Sequence, residues 1–238
     1  YCVDTILALL ALTYRRGQVT DRYIADEMYR LRRMILADCH IKAKVVEIKL
    51  DRHTNIEGTN TAGKTTLLRV ESLFWGLKPS EAQEWAADKL PMAEYFFPRE
   101  NSLLIFEYTR PEGQVCQVLI TSNKDKSILQ YRFVNKAYDE NDYGSRLDNG
   151  NYKPRSVRDI GSTLSAKNIE HSAMMGGSDY KAVHQNNAKH LRKNKNRGSL
   201  SGYARLYSMC SHSSTLVHQE HNIKSVLSKH GKITAKKK

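Results

Sequence analysis

Gly58-Thr59-Asn60-Thr61-Ala62-Gly63-Lys64-Thr65 constrains this chain more than any other stretch. It fits the spacing G-x-x-x-x-G-K-[ST], in which the chain turns so tightly that successive backbone N–H groups point into one concavity. A helix must begin at once, so that its N-terminal dipole faces the bound anion. Gly58 and Gly63 permit that backbone, Lys64 would reach the phosphates as a point charge, and the Thr65 hydroxyl would take one position on Mg²⁺. The flanking pattern agrees with such a loop. Ala43–Leu50 is β-branched and partly alternating, and Thr54–Glu57 is a short extended run. From Thr65 to Trp75, Leu67, Leu68, Val70, Leu73 and Phe74 share a helical face, and Gly76 ends the helix. A phosphate-binding loop made of Gly58, Thr59, Asn60, Thr61, Ala62, Gly63, Lys64, Thr65 and Thr66 is therefore expected to take a nucleotide.

The 238 residues suffice for one substantial core, and the formal charge of +13 is unevenly placed. From Lys189 to the end there are twelve Lys/Arg against one acid, Glu220. The basic character thus belongs to one segment, a candidate polyanion contact or a solvated tail. Within it Lys189, Arg192, Lys193, Lys195 and Arg197 are interleaved with His and Asn but with no aromatic residue to stack on a base, so contacts to nucleic acid would run through phosphates. Cys2, Cys39, Cys116 and Cys210 form no C-x-x-C pair, which suggests reduced thiols and a cytoplasmic protein. Ile6–Leu12 is too short to span a bilayer, so no membrane partner is expected. The chain starts at Tyr1 rather than Met, as a fragment would.

Helices are expected over Asp4–Tyr14, Asp21–Arg33, Pro79–Lys89 and Ser156–Lys167, and a loop around Tyr95-Phe96-Phe97 between Pro91 and Pro98. Ser102–Tyr108 and Val115–Ile120 flank the turn Pro111-Glu112-Gly113 as a hairpin, with Ile128–Val134 as a third strand. Residues 139–156 read as a loop and Asp179–His184 as partly extended, while helical spacing returns from Tyr203. Glu107 ends an apolar strand, as the acidic residue of many nucleotide-binding sites does, but a hairpin turn follows directly and an outward-facing strand residue is expected instead. His184, His190, His212, His218 and His221 have polar neighbours and no accompanying acid or thiol, so surface histidines are expected rather than a metal site.

Taken together, these features resemble the N-terminal half-head of an SMC-like, ABC-type ATPase. Three segments carry the likeness. The loop is similar to the form G-x-N-G-x-G-K-[ST], with Asn60 matching and Thr61 standing where Gly is usual. His53–Gly58 resembles the entry from strand to loop, and Tyr180–Asn187 looks like the Q-loop, whose glutamine would here be Gln185. The resemblance implies an α/β P-loop NTPase fold, with an antiparallel β meander inserted after the first helix and a helical C-terminal segment. It implies an N-terminal extension (1–33), an ATP-binding lobe (34–200) and a basic helical root of a coiled-coil arm (201–238). ATP and Mg²⁺ are the implied ligands, with Lys64 and Gln185 catalytic, and Thr65 and Gln185 on the metal. DNA, a C-terminal lobe of the same protein and a second head in a homodimer are the implied partners. Leu200-Ser201-Gly202-Tyr203 imitates the L-S-G-G signature of that second lobe, but no apolar strand ending in Asp-Glu follows it. The chain as it stands would bind ATP without efficient hydrolysis.

Two other readings compete. One is a self-contained P-loop kinase or GTPase-like enzyme that uses Glu107 as its second acidic motif. The other is a basic nucleic-acid-binding module with a vestigial loop.

Overall fold

The computed structural model describes residues 30–39, 41–50, 64–80, 92–110, 112–187, 190–191 and 199–209. Its strands are β1 (Arg30–Ala37), β2 (Val45–Lys49), β3 (Leu103–Thr109), β4 (Val115–Ser122), β5 (Leu129–Val134), β6 (Gly144–Arg146), β7 (Tyr152–Pro154) and β8 (Met175–Gly176). Six of them form the central antiparallel sheet, in the order β2-β1-β3-β4-β5-β8. The other two, β6 and β7, pair as a separate ribbon. The described helices are α1 (Lys64–Phe74), α2 (Met92–Phe96), α3 (Glu140–Tyr143), α4 (Val157–Ala166), α5 (Gly177–His184) and α6 (Ser199–Tyr207). The class is mixed α/β.

Strands β3 and β4 are almost continuous apolar runs because both faces of the sheet are covered. On one face Leu104, Phe106, Tyr108, Val118, Ile120, Tyr131 and Phe133 pack with Val70, Leu73 and Phe74 of α1, Phe96 of α2, Tyr180 and Val183 of α5, and Leu200, Ala204 and Tyr207 of α6. On the other, Ile35, Ala37, Leu103, Ile105 and Leu119 pack with Tyr143 of α3, Tyr152 of β7, and Ile160 and Leu164 of α4.

Local chemistry sets the turns. Between β1 and β2 the Asp38 carboxylate accepts from the Ala43 N–H at 2.6 Å, while Arg99 donates to the same carboxylate at 2.7 Å. Between β4 and β5 the Asn123 side-chain oxygen accepts from the N–H groups of Ser127 and Ile128. Helix α4 starts at a reciprocal cap: Ser156 Oγ accepts from the Asp159 N–H and donates to its carboxylate. Gly76, with φ +84°, ends α1 in the left-handed region that glycine enters at no steric cost.

The expected strands over 45–49, 103–109, 115–122 and 129–134 and the helices over 64–74 and 157–166 are found. Four expectations are corrected. Tyr95 and Phe96 lie in α2, because Phe96 and Phe97 are drawn into the core. Residues 139–156 fold into α3 and the β6–β7 ribbon, whose Tyr143 and Tyr152 supply apolar cover that a polar count does not register. Asp179–His184 is helical rather than extended, with Tyr180, Val183 and His184 buried at i, i+3 and i+4. Arg30–Arg33, the end of the helix expected over Asp21–Arg33, instead form the first half of β1, where they pair with β3.

The expected segment boundaries also cut through elements. Position 34 falls inside β1, and the division at 200/201 falls inside α6, whose inner face belongs to the main core. Residues 1–29 and 210–238, and with them the expected helix over 4–14 and most of that over 21–33, lie outside the described residues. The expected helix over 79–89 falls mostly outside them as well.

Candidate nucleotide site

Helix α1 begins at Lys64 and runs eleven residues to Phe74. Lys64, Thr65 and Thr66 therefore form its first turn, where backbone N–H groups have no partner within the helix and the dipole is positive. No acidic residue occupies that turn, so the backbone there suits an anion and nothing in the turn repels one. Gly58, Thr59, Asn60, Thr61, Ala62 and Gly63 lie outside the described residues. The other end of α1 is anchored in the core. Phe74 packs on Phe106 and Tyr108 of β3 at ring separations of 5.3 and 5.5 Å.

Gln185 is not at the loop end of α1. It caps α5, is 3% exposed, and directs Nε2 toward the carbonyl of Trp75 at 3.5 Å, just beyond the last residue of α1. Ten residues of chain separate Trp75 from Thr65, or about 15 Å along a helix rising 1.5 Å per residue. The expected pairing of Gln185 with Thr65 on one Mg²⁺ is corrected on this ground. The physical reason is that α5 docks its C-terminal end against the C-terminal end of α1, where exposed carbonyls need donors. Tyr180 supplies another, its hydroxyl donating to the Phe74 carbonyl at 2.6 Å.

Glu107 is corrected too. It is buried rather than outward-facing, and it lies on the sheet face opposite α1. Arg33 grips it with Nε at 3.0 Å and Nη2 at 2.9 Å, and the Tyr138 N–H donates to Oε2 at 2.5 Å. The pairing raises the Arg33 pKa further and keeps the guanidinium charged. The carboxylate is thus already engaged by Arg33 and the Tyr138 N–H, on the sheet face opposite the one that packs on Phe74 of α1.

The histidines divide as well. His184 is fully buried, and burial pushes its pKa down to about 3. His190 Nε2 lies 3.3 Å from the Asp179 carboxylate, while His212, His218 and His221 lie outside the described residues. So do Lys189, Arg192, Lys193, Lys195 and Arg197. No helix among the described residues is long and apolar enough to cross a membrane.

The aromatic junction at the far end of α1 is a feature that motif spacing does not reveal. Its sequence signal is the spacing of Tyr180, Val183 and His184, which places all three on one helical face. A family model described as "Protein of unknown function (DUF3584)" matches residues 35–238. No curated protein matches the chain.

Proposed function

The chain belongs to the DUF3584 family, and on that footing we propose that it is the ATP-binding lobe of an SMC-like ATPase acting on DNA. One observation carries the reading: the G-x-x-x-x-G-K-[ST] spacing of Gly58–Thr65 runs directly into a helix that starts at Lys64 and has no acid in its first turn. The antiparallel meander that follows α1, formed by β3, β4 and β5, agrees with the inserted β subdomain of an ABC-type half-head.

In this reading the loop amides and Lys64 hold the phosphates, and the Thr65 hydroxyl holds Mg²⁺. ATP, bound as its Mg²⁺ complex, would be sandwiched between two heads and so drive their engagement, and its phosphoanhydride would be cleaved only in that engaged state. The residues of this chain contribute positioning and charge, which is most of what phosphoryl transfer asks of a protein. The carboxylate that activates water comes from a C-terminal lobe and a second head, since Glu107 is held by Arg33. That same ion pair disfavours a self-contained kinase or GTPase-like enzyme built on Glu107. Repair, chromosome maintenance and anti-phage defence all fit an ATPase of this kind.

Equilibrium binding of a fluorescent ATP analogue tests the proposal. The parent protein is expected to bind in the presence of Mg²⁺, and Lys64→Ala to lose binding while keeping its thermal unfolding profile. Equal affinity in parent and variant would overturn the assignment.

A further inference from the structure

His184 occupies a junction where four elements meet. Its ring lies 4.7 Å from that of Phe74 on α1, 5.8 Å from Tyr108 on β3, 6.1 Å from Phe133 on β5 and 5.1 Å from Tyr180 on its own helix. Its backbone carbonyl accepts from the Met209 N–H at 3.0 Å, which ties the chain leaving α6 to the end of α5. Around it Tyr180 donates to the Phe74 carbonyl and Tyr108 to the Tyr207 carbonyl. The ends of α1, α5 and α6 are thus fastened to one another through the immediate surroundings of a single imidazole.

That imidazole is 0% exposed, and among the described residues neither Nδ1 nor Nε2 has a hydrogen-bond partner. A ring whose only role was packing would be served better by phenylalanine, which leaves no polar atom unsatisfied.

The titratable groups on the surrounding elements offer no counter-charge. Tyr108 and Tyr180 are buried phenols already donating elsewhere, and Cys116, beside Tyr108, is a buried thiol. Tyr207 on α6 is a buried phenol as well. Glu71 on α1 accepts from Trp75 Nε1 at 3.4 Å, and burial raises its pKa. Asp179 on α5 pairs with His190, Lys181 lies against Gly76, and Arg110, after β3, is a cation. The aromatic faces offer some attraction to an imidazolium, but less than the hydration it would lose.

We propose that His184 is an acid-sensitive latch: its uncharged ring keeps the ends of α1, α5 and α6 closed on the sheet, and a proton on it opens them while the β meander stays folded. The sign follows from linkage. The pKa of the closed form lies below the ordinary value of about 6.5, so closure is fully supported above that pH. As pH falls from about 6.5 toward 3, the open population gains about tenfold per unit.

Trp75, which is 8% exposed beside Phe74, reports the junction once the other tryptophan is removed by Trp85→Phe. In that background, acidification from pH 7.5 to 4.5 is expected to shift Trp75 emission to the red while amides of β4 and β5 stay protected from hydrogen exchange. Adding His184→Phe is expected to move the shift at least one pH unit lower or remove it. An unchanged midpoint would overturn the latch. Should His184→Phe fail to fold, ring ¹⁵N shifts of the His184 parent decide. Protonation is expected in the same step as the Trp75 shift, and a ring that charges while Trp75 stays buried would refute the proposal.

Discussion

Arg33 and Glu107, directly paired across β1 and β3, form a two-pronged ion pair on the sheet face covered by α3, α4 and the β6–β7 ribbon. Glu107 is 1% exposed, and its other neighbours are the Tyr138 N–H and, at 3.5 Å, Arg32. Removing the arginine would strand a buried carboxylate. Arg33→Met is expected to cost on the order of 3 kcal/mol in urea unfolding. Arg33→Met with Glu107→Leu is expected to recover most of that loss, because the buried carboxylate goes with its arginine and only the partly exposed Glu47, which Arg33 Nη1 also holds at 3.0 Å, loses a partner. A double variant as unstable as the single would show that the pair does more than balance its own desolvation.

Gln185 is expected to act on stability and not on metal. Gln185→Ala withdraws the amide from the Trp75 carbonyl and should cost on the order of 1 kcal/mol. Nucleotide titrations with and without Mg²⁺ should then change by the same factor. A loss confined to the Mg²⁺ condition would return Gln185 to the loop.

Cys39 and Cys116 are buried thiols, each pushed up to about 12 chiefly by desolvation. At pH 8 the thiolate, which is the reactive form, is expected to be about one part in ten thousand of either. Labelling with an aromatic disulfide reagent, read by peptide mass spectrometry, should leave both untouched until denaturant is added. Rapid labelling of either in the folded protein would contradict its burial.

The stretch 189–197 is expected to touch DNA through phosphates. Neutralising Lys189, Arg192 and Lys193 together should weaken binding to all duplexes alike and flatten the dependence of log affinity on log salt by roughly 0.9 for each phosphate that is no longer neutralised. Duplex titrations at several salt concentrations test this. An unaltered slope would mean that the segment does not touch the duplex.

The start of α1 was legible in the sequence because its signal is local. An apolar helical face that follows Gly63 specifies a helix without reference to anything distant, and α1 begins at Lys64. The hairpins were legible for a similar reason, since turn residues and β-branched runs lie side by side in the chain. Only the tertiary structure decided the fates of Glu107, Gln185 and His184. Each carries a polar side chain whose role depends on which element closes over it. The β6–β7 ribbon and α4 cover the sheet face that would otherwise have left Glu107 in water, and α5 turns Gln185 and His184 toward the carbonyl end of α1 rather than its amide end. Local spacing states what a residue is able to do, whereas desolvation and the partners that relieve it are set by segments far away in the chain, as Trp75 is from Gln185.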